Sequence, residues 1–325
     1  MPINESSFKP AWWLRNPHLQ TLWSTFFKKL PSVQSQPYRV ELDDGDFIDL
    51  EITDLADKPI VLIMHGLEGS LSSHYVKPLM SELDQAGYAA IFMHFRGCSH
   101  EINRLDRSYH SGDTKDLEDI IKKIKTTFDR DIFAVIGFSL GGNVLLKWLG
   151  ENQAKAKTTT AIAVSVPFQL ADAGDRLEKS FSKVYQKHLI SRCQQKYQKK
   201  FTHKTSPLEV DITKLNTFYL FDDQVTAPLH GFSGANEYYQ QCSSRQFLKS
   251  IRKPTLIIHA KDDPFMWEHT IPNESELSPF VHLELSEHGG HVGFVHGRSP
   301  IKAKYWAEER IIKWLEEQKQ QLFNG

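Results

Sequence analysis

Ser139 lies between two glycines in Gly137-Phe138-Ser139-Leu140-Gly141, where an apolar run meets a helix-forming one, and that setting suits nucleophilic attack on a carbonyl carbon. Asp131 to Ile136 is a short apolar segment bounded by turn signals, as buried strands are, and Asn143 to Leu149 carries apolar residues at helical spacing. The glycines let strand and helix approach closely, while the sharp turn at Ser139 projects its hydroxyl outward. Unpaired N–H groups at the start of the helix aim at the same spot, so negative charge developing on a substrate oxygen is stabilised there.

A serine hydroxyl attacks poorly at neutral pH unless a base takes its proton and a carboxylate orients that base. Downstream, Pro254 to His259 reads as a strand and ends in Ala260-Lys261-Asp262-Asp263-Pro264, which sets a carboxylate, Asp262 or Asp263, at a strand end. A further run, Phe280 to Leu285, leads into Glu287-His288-Gly289-Gly290-His291-Val292-Gly293-Phe294, a glycine-flanked loop able to deliver a histidine. Upstream, the continuous apolar run Ile60 to Met64 enters His65-Gly66-Leu67-Glu68-Gly69-Ser70. The backbone N–H groups of Leu67 and Leu140 are the expected oxyanion donors, and His65 reads as a structural turn residue. His288 and His291 lack the glutamate and the i, i+4 helical spacing of a His-Glu-x-x-His zinc site, so no metal or other cofactor is expected.

The elements that must position these residues alternate along the chain. Tyr38 to Leu42 and Phe47 to Ile52 read as a hairpin, Ile60 to Met64 and Ala89 to His94 as strands, and Tyr75 to Ala86 and Leu117 to Phe128 as helices, before the strand that ends at Ser139. That alternation predicts an α/β chain with a mostly parallel central sheet flanked by helices. Thr159 to Val166 is one more strand. From about Asp172 to Phe247 the alternation stops, giving Lys- and Gln-rich helical segments such as Lys187 to Lys200, then Pro-, Gly- and aromatic-bearing loops from Phe218 to Tyr239. Because ligands of open α/β sheets bind beyond the strands' C-terminal ends, this insertion is expected to be a helical cap over the site. Phe218, Tyr219, Phe221, Phe232, Tyr238 and Tyr239 either wall an apolar substrate group or form the cap's own core. Ile301 to Gln318 reads as a closing helix. The expected segments are 1–35, an aromatic arm holding a short helix from Leu19 to Phe27; 36–170, the first part of the core; 171–250, the cap; and 251–325, the rest of the core. The arm either packs across the body or serves as a membrane-surface anchor or acyl-binding wall.

With 325 residues the chain can bury a sizeable core, and a formal net charge of −1 offers no overall attraction to nucleic acid or to anionic membranes. Cys98, Cys193 and Cys242 are odd in number and widely spaced, which fits a reducing compartment rather than a disulfide framework. With Glu5 and Lys9 near the start, no apolar signal region and no run long enough to span a bilayer, a cytoplasmic location is expected.

Trp13 to Thr21, Phe95-Arg96-Gly97-Cys98-Ser99, Tyr109-His110-Ser111-Gly112, Gly137 to Asn143 and Gly289 to Phe294 together resemble the YheT-like branch of the α/β-hydrolases, nearly from end to end. That branch is related to the eukaryotic ABHD lipid hydrolases. The order Ser, Asp, His is that of the α/β-hydrolases rather than of chymotrypsin or subtilisin. The resemblance implies an α/β-hydrolase fold and a triad of Ser139, Asp263 and His291. In the strand-end pattern His-Gly-x-x-Asp, here His259-Ala260-Lys261-Asp262-Asp263, the last residue is the orienting carboxylate, which favours Asp263 over Asp262. His291 follows Gly289-Gly290 and precedes apolar Val292-Gly293-Phe294, which favours it over His288. The expected function is serine carboxylesterase or lipase-type hydrolysis through an acyl-enzyme, with a small-molecule ester as partner, lipid-like if the aromatic residues line its site. Two alternatives stand beside it: acyl transfer through the same triad, and ligand binding without turnover.

Overall fold

The computed structural model describes residues 2–324; Met1 and Gly325, the outermost positions of the first and last expected segments, lie outside them. In chain order the elements are β1 (Ile3–Glu5), α1 (Pro17–Phe27), β2 (Gln36–Glu41), β3 (Phe47–Ile52), β4 (Ile60–Met64), α2 (Val76–Gln85), β5 (Ala89–Met93), α3 (Thr114–Phe128), β6 (Ile132–Phe138), α4 (Leu140–Asn152) and β7 (Thr160–Val164). Then come α5 (Leu170–Leu177), α6 (Ser182–Lys200), α7 (Phe218–Phe221), α8 (Ala227–Leu229), α9 (Ala235–Cys242), β8 (Thr255–Ala260), β9 (Val281–Ser286), β10 (Val295–His296), β11 (Lys304–Tyr305) and α10 (Trp306–Asn324).

Nine strands form one sheet in the order β1-β9-β8-β7-β6-β4-β5-β3-β2. Every neighbouring pair from β1 to β5 is parallel; the β2–β3 hairpin joins β5 antiparallel at one edge. The central strands are buried along their whole length because side chains of alternate residues enter cores on opposite faces. Leu62 and Met64 of β4 join Leu117, Ile120 and Trp148 of α3 and α4, whereas Val61 and Ile63 join Leu79, Leu83, Ile311 and Leu315 of α2 and α10. Each such side chain taken fully out of water stabilises the fold by roughly 1.5–3 kcal/mol.

Three expectations need correcting. The sheet has an unexpected edge strand, β1, whose backbone pairs with Leu283, Glu284 and Leu285 although two of its three residues are polar. The closing helix begins at Trp306 rather than Ile301, because Lys304-Tyr305 pairs with Val295-His296 as a two-residue ribbon just before it. The stretch from Phe218 to Tyr239 is mostly helical: the Thr217 side chain accepts the Leu220 N–H to start α7, a wide turn at Asp222–Thr226 carries it into α8, and α9 follows Gly234.

Candidate active site

Strand β6 ends at Phe138 and α4 begins at Leu140, so Ser139 makes the turn by itself, at φ 52° and ψ −117°. That backbone is strained for a residue bearing a Cβ, and close packing around it holds it in place. A Cβ at Gly137 would collide with the Gly141 carbonyl, and one at Gly141 would come within 2.6 Å of the His65 carbonyl.

Ser139 Oγ lies 3.0 Å from His291 Nε2, and His291 Nδ1 lies 2.9 Å from Asp263 Oδ2. The other carboxylate oxygen of Asp263 accepts the Phe265 N–H at 2.8 Å, and the Phe265 ring lies flat on the imidazole, 4.0 Å between centroids at 3°. Asp263 is 3% exposed and His291 8%, so this hydrogen-bonded chain is shielded from water except at its serine end. Asp262 turns elsewhere: it faces His288 Nδ1 at 3.1 Å and accepts the Gly290 N–H at 3.0 Å. Burial raises its carboxyl above the ordinary range. His288 is thereby held away from Ser139, and among the described residues no group of three or more His, Cys, Asp or Glu is placed to hold a metal ion.

In the turn after β4, the Gly66 N–H donates to Tyr75 Oη at 2.9 Å, the Glu68 N–H to Tyr109 Oη at 2.8 Å and the Gly69 N–H to the Gly66 carbonyl at 3.0 Å. Among the described residues, the Leu67 N–H has no protein acceptor, nor has the Leu140 N–H that opens α4. Both residues line a cavity of about 760 Å³ together with Ser139 and His291. His65 is fully buried, its Nδ1 facing the Gly66 carbonyl at 2.6 Å and its Nε2 accepting the Phe95 N–H at 3.1 Å. Burial pushes its pKa down to about 3, so it is a neutral clamp on the turn.

Helix α6 lines the same cavity and is tied to the turn: Lys196 Nζ reaches Glu68 Oε1 at 2.6 Å, and Glu68 also accepts the Tyr109 hydroxyl at 2.8 Å. Of the six aromatic wall candidates, Phe218, Phe221, Tyr238 and Tyr239 line the cavity, while Phe232 packs against Tyr238 and Tyr219 is exposed. The two tyrosines also belong to a small buried cluster with Leu170, Ala227, Ala235 and Cys242, so they line the cavity and are part of the core of this segment at once.

Sequence reasoning missed the support under His291. Its N–H donates to Thr21 Oγ1 at 2.9 Å, and the Thr21 hydroxyl donates to the Pro17 carbonyl at 2.8 Å. Gln20, wholly buried, donates to the Leu14 and Val295 carbonyls and accepts the Val295 N–H at 2.7 Å. A Cβ at Gly290 would sit 2.5 Å from the Pro17 carbonyl, and one at Gly293 2.6 Å from that of Gln20. The available signal was the glycine pairing itself: glycines at 290 and 293 call for a close backbone neighbour, and α1 is that neighbour.

The model for the alpha/beta hydrolase fold matches residues 59–297. YheT of Escherichia coli (strain K12) is 40% identical over 321 residues, covering 96% of this chain and 94% of that one. The chain belongs to the α/β hydrolases, in their YheT-like branch. This hydrolase is also 28% identical over 324 residues to phospholipase ABHD3 of Mus musculus, covering 96% of this chain and 78% of that protein. Among solved structures, the Pyrococcus furiosus esterase Pf2001 shares the fold of this hydrolase with a TM-score of 0.58 at 19% identity, covering 99% and 98% of the two chains.

Proposed function

We propose that the protein is a serine ester hydrolase acting on an apolar acyl ester through Ser139, His291 and Asp263. The observation that carries this reading is the unbroken hydrogen-bonded chain from Asp263 through His291 to Ser139, opening on a cavity where two backbone N–H groups await an acceptor. Its relatives support the same chemical class: one is named a phospholipase, and a monoacylglycerol lipase of Saccharomyces cerevisiae is 28% identical over 269 residues.

In this mechanism Ser139 Oγ attacks the ester carbonyl as its proton passes to His291 Nε2, and the carbonyl oxygen, now negative, accepts the Leu67 and Leu140 N–H groups. Asp263 holds the Nδ1–H tautomer and stabilises the imidazolium. The tetrahedral intermediate collapses, breaking the bond to the alcohol oxygen, which leaves with the proton from His291. Water then gives a proton to His291 as its oxygen attacks the acyl carbon; the second tetrahedral intermediate collapses by breaking the bond to Ser139 Oγ, which takes that proton back from His291, and the acid is released. The apolar walls from α5 to α7 take the acyl chain, and the cap formed by residues 171–250 keeps bulk water from the acyl-enzyme.

A fluorophosphonate probe applied to the purified protein tests this. Wild type is expected to label covalently and the Ser139→Ala variant not to, with hydrolysis of p-nitrophenyl esters falling by about 10⁴-fold or more in the variant. A folded wild type that neither labels nor turns over would overturn the reading.

A further inference from the structure

Helix α6 holds six basic residues, Lys183, Lys187, Arg192, Lys196, Lys199 and Lys200, and no acidic one, in a chain whose net charge is −1. Positive charge is therefore concentrated on one helix beside the cavity. Lys183, Lys187 and Arg192 are exposed, and none of them makes an ion pair among the described residues. The rim next to this helix is apolar. Of the twelve large hydrophobic residues exposed among the described residues, six are Leu19, Phe26, Phe27 and Leu30 on and just after α1, and Phe181 and Val184 at the start of α6.

Four of the six share one cavity mouth, and Leu19 and Phe27 stand on the same helix as Phe26. Phe26, Leu30, Phe181 and Val184 line the same cavity, and His18 of α1 joins the two helices, its ring 4.7 Å from that of Phe181 and its Nδ1 3.2 Å from Tyr185 Oη. Phe26 and Phe27 are 70% and 64% exposed, which a water-facing surface does not favour. An apolar rim flanked by unpaired lysines and arginine matches a layer whose interior is hydrocarbon and whose surface carries phosphate.

We infer that the rim formed by α1 and the start of α6 docks on the surface of an anionic lipid bilayer, with the cavity mouth against it. Phe27 and Leu19 enter the interface while Lys183 and Lys187 meet the anionic headgroups. An ester carried in the bilayer then reaches Ser139 without crossing water. The docking itself does not depend on turnover.

Co-sedimentation with vesicles of phosphatidylcholine alone, or with 30% phosphatidylglycerol (about one lipid in three, enough for a negative surface potential), tests the inference on the full chain. Wild type and Ser139→Ala are both expected to sediment with the anionic vesicles at least about tenfold more tightly than with neutral ones, and to be released by high salt. Leu19→Ser/Phe27→Ser and Lys183→Glu/Lys187→Glu, all at exposed positions outside the cavity, are each expected to lose about fivefold or more of that binding while melting as wild type does. Absence of wild-type binding, equal binding to neutral vesicles, or unaltered binding by both variants would overturn it. So would a dimer that Leu19→Ser/Phe27→Ser converts to monomer, since the rim would then belong to a second copy of the chain.

Discussion

Two adjacent carboxylates differ by one position in sequence and by everything in surroundings. Asp263 is buried against His291 and fixed by the Phe265 N–H, while Asp262 serves His288 and the Gly290 N–H. If Asp263 orients the base, Asp263→Asn leaves the geometry in place but favours the wrong tautomer of His291, and kcat is expected to fall by about 10³–10⁴-fold with KM little changed. Asp262→Asn keeps an acceptor for the Gly290 N–H and is expected to stay within about tenfold of wild type. Steady-state kinetics on one p-nitrophenyl ester checks both, and comparable losses in the two variants would remove the distinction. The preference for Asp263 was legible because it stands at the end of a recognisable pattern. The Phe265 ring against the imidazole was not, since nothing in Pro264-Phe265-Met266 marks a stacking partner for a residue 26 positions later.

At the scale of elements, the support of one loop by α1 governs the base. Thr21→Val keeps the shape but removes the acceptor of the His291 N–H, leaving a buried donor unpaired at a cost of about 1–3 kcal/mol. The variant is expected to melt several degrees lower and to lose kcat by about tenfold or more, read by calorimetry and kinetics together; an unchanged kcat would show that α1 supports the fold and not the base. Helices α2 and α10 make a second contact with a pH signature. Burial beside Glu308 pushes the Glu82 carboxyl up from its ordinary 4.5 to about 7, against the opposing effect of Lys28. The folded chain thus holds this proton more tightly than the unfolded one, so its contribution to stability is lost as pH rises from about 4.5 through about 7. Glu82→Gln is expected to be more stable than wild type at about pH 8, by about 1 kcal/mol because solvent screens a half-buried group, and level with it at about pH 3.5, as thermal melts at the two values (each roughly one unit outside the window) would show. Long periodic helices such as α2, α3 and α6 were legible in the sequence. β1, α7 and α8 were not, because three residues or a single turn leave no period to read and are stabilised by tertiary pairing instead.

For the molecule as a whole, the mostly parallel sheet was legible in the alternation of strand and helix periods, and the family in the motifs those elements carry. The ester itself was not, since the cavity is assembled from segments as distant as Leu22, Tyr109, Val184 and Phe221. Its size and apolar walls nevertheless constrain the acyl group. If the chain lies along α6 past Val184 and Leu189, each added methylene leaves water for an apolar wall and contributes about 0.8 kcal/mol, so kcat/KM is expected to rise about fourfold per methylene until the cavity is filled. Leu189→Trp should shorten that series, costing little on acetyl and butyryl esters and at least about tenfold on decanoyl and longer ones. A p-nitrophenyl ester panel on the two proteins reads the effect directly. A flat wild-type profile, or a loss in Leu189→Trp that is the same for every chain length, would place the acyl group elsewhere and turn attention to the basic end of α6, where Arg192, Lys196 and Lys200 line the same cavity and would receive an anionic part of the substrate instead.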